Sequence, residues 1–274
     1  MTDLRTPPVD GGDLFSERAR QYALEKPLQR IHILEAGCGW GTGLNLGDRA
    51  HVVTGVDMDV PELRAYTCER TDLDSWHLGD LRTVPLPPRS YDVVHASYLI
   101  ERVPHAELVL DRFVAALKPG GLLLVRMRDR DTAFGFLDRT LPHRLRPARR
   151  RRRPRPGRAP RGAHARGAPD AGQEPAQRAP APPSSASPSA SPPPAVYDRV
   201  ASRRRLRWYC TMRGLMVAEE YTSRASLDGL GAGRGPADLL CRLVALCTRG
   251  RLTAAHSDVT LVIRKPENRF ARVI

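Results

Sequence analysis

The sequence lacks the marks of several common protein classes. Its 274 residues include five cysteines (Cys38, Cys68, Cys210, Cys241 and Cys247), with no Cys-x-x-Cys pair and no Cys/His ligand array. An odd, scattered set of this kind argues against a disulfide framework and against a zinc site, and it fits reduced thiols in a cytoplasmic protein. No metal is therefore expected. Aromatic residues are sparse, at 5%. No apolar run approaches the roughly 18 residues of a membrane-spanning helix. The opening stretch MTDLRTPPVDGGDLF has an early acid, two prolines and no apolar core, so no signal peptide is expected.

Charge is abundant but local. The formal net charge of +14 suggests nucleic acid or a membrane surface as a partner. Between Arg144 and Ala195, however, twelve arginines stand against only Asp170 and Glu174, which places +10 of the +14 in one segment. That segment uses almost only Arg, Pro, Ala, Gly and Ser and has nothing to bury, so it reads as disordered. GC-rich DNA read in a shifted frame yields the same vocabulary, which leaves both a genuine linker and a frameshift product open. The basicity belongs to this insertion rather than to the fold, and nucleic acid is not the expected partner. The chain divides into residues 1–145, the insertion at 146–195, and a continuation of the same domain at 196–274.

Outside the insertion, strand-like and helix-like stretches alternate. DLFSERARQYALEK (13–26) is an amphipathic helix ended by Pro27. IHILEA is a buried strand, and the glycine-rich run after it is expected to open a helix over residues 41–49. Strands follow at 51–57, 74–81, 91–98 and 122–129, with helices at 61–70 and 105–118. The second of these helices is broken by Pro119-Gly120-Gly121. Beyond the insertion come a helix at 201–214, a strand at 215–223, a helix at 236–250 and a last strand at 257–265. Several strands are unbroken apolar runs, which indicates a mostly parallel, doubly wound α/β sheet covered on both faces.

The most informative stretch is ILEAGCGWGTG (33–43), in which a strand runs into four glycines within seven residues. Glycine lets a ligand approach the backbone, and the free N–H groups at a helix start are donors for it. A dinucleotide fingerprint needs G-x-G-x-x-G, but its third glycine would fall on Thr42 or Leu44. The Walker pattern is absent as well, because no lysine follows the loop. What remains is an acid followed by glycines at every second position: Glu35, Gly37, Gly39 and Gly41.

Here the sequence resembles the class I S-adenosylmethionine-dependent methyltransferases, over residues 31–129. ILEAGCGWG is similar to their first motif, VTGVDMD to the second, HLGDL to the third, and YDVVHASYLIERVPHAELVLDRFVAALKPGG to the fourth strand and following helix. The resemblance implies a Rossmann-like seven-stranded sheet and S-adenosyl-L-methionine as cofactor, with S-adenosyl-L-homocysteine as product. It implies that Glu35 holds the methionine ammonium over the loop formed by Gly37, Cys38, Gly39, Trp40 and Gly41. Asp57, followed by Met58, would accept the ribose hydroxyls, Asp80 the adenine amino group, and Leu81 would meet the ring. Trp40 either covers the cofactor or packs on a neighbouring helix. Cys38 reads as a small filler and not as a nucleophile.

Many relatives carry an acid-histidine pair after the fourth strand, whereas this chain has Glu101-Arg102. No catalytic residue is assigned, and the candidates are His95, Tyr98, Glu101 and His105, with His95 reading first as a core residue. The N-terminal helix, with Tyr22, is expected to fold over the site as a lid, and the helix at 236–250 as a cap that packs on the domain through Leu239, Leu240, Leu243, Val244 and Leu246. No N/D-P-P-Y element is present, so methylation of an adenine or glutamine amine has little support. The expected activity is methyl transfer to a small molecule; the alternative is a damaged or non-catalytic relative that binds the cofactor, or RNA through its arginine run. Neither the acceptor nor the oligomeric state is readable.

Overall fold

The computed structural model describes residues 13–41, 43–141 and 195–267. The insertion expected at 146–195 lies outside them, save for Ala195. The element order is α1 (Leu14–Leu24), β1 (Ile31–Ala36), a single turn of 3-10 helix (Cys38–Trp40), β2 (His51–Asp57), α2 (Pro61–Cys68), β3 (Ser75–Leu78), β4 (Tyr91–Ser97), α3 (Ala106–Ala116), β5 (Leu117–Arg128), α4 (Ala133–Thr140), α5 (Arg203–Met212), β6 (Met216–Ser223), α6 (Ala225–Asp228), α7 (Arg234–Cys247) and β7 (Asp258–Arg264). Seven strands form one sheet in the order β3-β2-β1-β4-β5-β7-β6. β1 to β5 pair in parallel, and β7 runs antiparallel between β5 and β6. The doubly wound, mostly parallel expectation holds.

Alternation along the strands divides the core between the two faces of the sheet. Ile31, Ile33, Val53, Val93, Leu122, Leu124 and Val262 pack against Phe15, Ala19, Tyr22 and Ala23 of α1. Leu34, Ala36, Val56, Val94, Ala96, Leu123 and Val125 face α3 and α5. Local signals set the helix starts. Pro61 stands in the first turn of α2, and the side chains of Thr132 and Ser202 cap α4 and α5 by accepting from Gly135 N and Arg205 N.

Several expectations need correction. No helix forms over 41–49. Gly43 and Gly47 have φ of 71° and 63°, in the left-handed region that helices exclude, and Asn45 is tied elsewhere, its N–H donating to Ser16 Oγ and its Oδ1 accepting from Gly47 N. Lys118 to Gly121 do not separate α3 from a later strand but form the irregular start of β5. Gly120 N donates to Lys265 O, and Lys265 N donates to Gly121 O, so the segment stays bonded to the chain beyond β7. α4 was not anticipated. Finally, α7 packs on α4 through Ala237, Cys241 and Val244, whereas Leu239, Leu240, Leu243 and Leu246 are 45–75% exposed.

The amino ends of the parallel strands are held by Asp92. Its carboxylate accepts from Lys118 Nζ at 2.6 Å, His32 N at 3.0 Å and Tyr22 OH at 3.2 Å, and Lys26 Nζ lies at 3.4 Å. Tyr22 is therefore buried at the edge opposite the glycine loop and does not cover it. The start of α1 lies at the carboxyl edge instead, where Phe15 meets His95 edge-on with ring centroids 5.3 Å apart.

Candidate active site at the carboxyl edge

In an open parallel sheet, ligands bind beyond the carboxyl ends of the strands where the strand order reverses. Here that point lies between β1 and β4. The first three strands each deliver an acid there: Glu35 at the end of β1, Asp57 at the end of β2, and Asp80 just past β3. β1 and β2 carry Glu35 and Asp57 at or next to their last residues, where both carboxylates are buried, while β3 is an exposed edge strand and Asp80 beyond it is exposed.

The glycine loop follows β1 closely. Gly37 has φ of 79°, and its N–H donates to Val56 O, which turns the chain over the end of β2. Gly39 N donates to Asp57 Oδ2 at 2.9 Å, and Met58 N donates to Oδ1 at 2.8 Å. Asp57 is 2% exposed, and burial raises its pKa to about 6 against the pull of those two N–H groups. Met58 is half-buried beside it. Cys38 is buried against Gly55, where a Cβ would fall 2.8 Å from its Sγ, and burial pushes its thiol up to about 12. Its place against Gly55 is that of a small packing residue. With the 41–49 helix absent, the glycine N–H groups do not form a free row of donors; those of Gly37, Gly39, Gly41 and Gly43 bond to protein oxygens.

Beneath the loop lies a cluster that no sequence spacing indicated. Arg70, in the turn after α2, donates to Glu35 through Nη1 at 2.9 Å and Nη2 at 2.7 Å. Nη1 also donates to Cys38 O at 2.7 Å, and Nε donates to Asp72 Oδ1 at 2.8 Å, with Asp72 Oδ2 on Nη2. A Cβ at position 41 would collide with Glu35, and one at 43 with Asp72. These two glycines are needed as much by the ion cluster as by any ligand.

Asp80 is exposed and paired with Arg82, whose side chain holds it down to about 2. Leu81 is buried in the core just behind it. The four catalytic candidates are not brought together. His95 is buried next to Glu35 in the β1–β4 pairing, its Nδ1 has no partner among the described residues, and burial lowers its pKa. Tyr98 directly follows β4 with φ of 57°, and burial raises its phenol. Glu101 is fully buried, with neither carboxyl oxygen hydrogen-bonded among the described residues; burial raises it to about 7, opposed by Arg102 and Arg128. His105 is exposed at the start of α3 and opens onto a cleft with Asp111, Asp198 and Arg213, away from the glycine loop.

Among the described residues no group of three or more His, Cys, Asp or Glu side chains could hold a metal, and no helix is long and apolar enough to cross a membrane. All five cysteines are free.

The Methyltransferase domain family matches residues 13–167. A Mycolicibacterium smegmatis protein described as a probable S-adenosylmethionine-dependent methyltransferase is 38% identical over 137 residues, covering 48% of the chain and 52% of the relative. The trans-aconitate 2-methyltransferase of Variovorax paradoxus is 29% identical over 114 residues, covering 40% of the chain and 44% of the relative. The chain thus spans about half the length of these relatives. Among solved structures, a chain from the Haloferax volcanii complex of the Trm112 activator with a methyltransferase aligns at a TM-score of 0.51 and 16% identity, covering 96% of this chain and all of that one, which shows the shared fold.

Proposed function

The chain belongs to the methyltransferase domain family, and from that premise we propose that it transfers the methyl group of S-adenosyl-L-methionine to a small-molecule acceptor. The observation that carries the reading is the row of three acids, Glu35, Asp57 and Asp80, on successive strand ends beside the switch point, with the turn at Gly37 between the first two.

The residues present fit such a cofactor. Gly37, Cys38, Gly39, Trp40 and Gly41 would back its methionine part, with Glu35 toward the ammonium. Asp57 spends one lone pair of each oxygen on a backbone N–H, and the remaining pairs are free to accept two ribose hydroxyls. Because Asp57 is nearly inaccessible, its surroundings must open to admit them. Met58 would flank the ribose. Asp80 would exchange Arg82 for the adenine amino group, with Leu81 backing the ring from the core side.

When bound, the cofactor supplies a methyl group already electrophilic on a sulfonium. The protein's part is then to align the acceptor and exclude water. A base is required only where the acceptor must first lose a proton. Of the four candidates, Glu101, buried just past β4 with neither carboxyl oxygen hydrogen-bonded among the described residues, is our choice for that role.

Calorimetric titration with S-adenosylhomocysteine tests the reading. The intact chain should bind it, and Asp57→Ala should weaken binding by about 30-fold or more, as expected for the loss of hydrogen bonds to a charged group. Absence of binding to the intact chain would overturn the proposal. A screen of metabolites with labelled donor would then identify the acceptor.

A further inference from the structure

We propose that Arg70, together with Glu35, forms the seat for the amino-acid end of the methyl donor, with Glu35 taking the ammonium and Arg70 the carboxylate. The inference rests on the methyl-donor reading above and adds a residue to it.

A guanidinium has five N–H donors in a rigid fork suited to carboxylates. In Arg70 all five are engaged, but by partners of two kinds. Nη1 and Nη2 face inward, to Glu35 and to the carbonyl of Cys38, where Glu35 is almost fully buried. Nε and the second Nη2 hydrogen face outward to Asp72, whose side chain is 52% exposed. The outer edge therefore already grips a carboxylate side-on, and Asp72, half exposed, can turn to water when a second carboxylate takes that edge.

The loop packs closely over this edge. Positions 41 and 43, which would point Cβ atoms into Glu35, Arg70 and Asp72, are both glycine. Gly43 N also faces Glu35 Oε1 at 3.3 Å. Charge favours the same exchange. Two carboxylates around one guanidinium leave an excess negative charge beside the loop, and a zwitterion corrects it. Its ammonium pairs with Glu35, its carboxylate replaces Asp72 on the outer edge of Arg70, and Asp72 turns to solvent. No proton or covalent bond changes hands.

The test compares two ligands that differ only in this end. S-Adenosylhomocysteine carries the amino acid; 5′-methylthioadenosine keeps the nucleoside and the sulfur and lacks it. In titrations of the full chain, Arg70→Met should weaken S-adenosylhomocysteine by tenfold to a hundredfold, the scale of a lost charge-assisted bidentate contact, and leave 5′-methylthioadenosine within about threefold. Equal losses for both ligands, or no loss for either, would overturn the assignment. If circular dichroism shows Arg70→Met to be unfolded, Arg70→Lys gives the same comparison, because lysine keeps the charge and loses the two-point edge. It should cost S-adenosylhomocysteine about fivefold more than 5′-methylthioadenosine, and equal effects would again overturn the assignment. A wild-type chain that binds neither ligand would instead overturn the methyl-donor reading itself.

Discussion

A Cβ placed on Gly41 would fall 1.8 Å from Oε1 of Glu35. The third glycine of the loop is therefore tied to the acid that precedes the first, and the two positions have to be considered together. Gly41→Ala must displace either the loop or the buried Glu35–Arg70 pair, and disturbing a pair that is 3% and 11% exposed should cost about 3 kcal/mol. Gly79 is the control. It has open space where its Cβ would be and an ordinary φ, so Gly79→Ala should stay within about 0.5 kcal/mol of the parent chain. Urea midpoints of the two variants decide it, and equal effects would mean that the cluster under the loop is not rigid.

That pairing also shows how far the residue order could be read. β1 and β2 were legible because each is a short, mostly apolar stretch carrying an acid at or next to its last residue, and a mostly parallel sheet follows once the strands alternate with helices. The glycines were visible, but the reason for two of them was not. Arg70 reaches Glu35 across 35 positions, and no local period reports such a contact. The expected helix over 41–49 failed for a local reason, the left-handed glycines at 43 and 47, whose backbone state is not written in their identity. α4 was missed because Phe134-Gly135-Phe136 reads as neither period; its Gly135 packs against the Asp129 carbonyl, where a Cβ would not fit. For α7 the apolar positions were found, but the contacts with α4 select Ala237, Cys241 and Val244 and leave the leucines outward.

Asp92 offers a test of stability separate from the site. Burial would raise its pKa, but Lys118, the His32 N–H and Lys26 outweigh burial and hold it below the ordinary value. A carboxyl with a depressed native pKa adds stability above its unfolded value, near 3.9, and that contribution fades as pH falls through the native pKa. Asp92→Asn should therefore cost about 2 kcal/mol at pH 7, discounted for the part-exposed lysines, and the gap should close below about pH 4. Because Asp92 lies at the amino edge, S-adenosylhomocysteine affinity should not change; a large loss of affinity would mean that the two edges are coupled.

Glu101 should show the opposite pH dependence. Burial raises it from an ordinary 4.5 to about 7, with Arg102 and Arg128 opposing. Between about pH 4.5 and 7 the native chain then keeps a proton that the unfolded chain has released, so stability falls with rising pH across that window and levels off above the native pKa. The full difference would be about 3 kcal/mol at 1.36 kcal/mol per pH unit, an upper bound for a group this close to two arginines. Glu101→Gln stays neutral at every pH, so it should match the parent near pH 5 and exceed it in stability near pH 8. Asp57, raised in the same direction to about 6, should leave a smaller residual slope in the variant. Urea denaturation at pH 5, 6.5 and 8 reads both curves. Parallel curves for parent and variant would show that Arg102 and Arg128 fully compensate the Glu101 charge, which would then be ionised in the folded protein and a weaker base than a carboxylate titrating near neutrality.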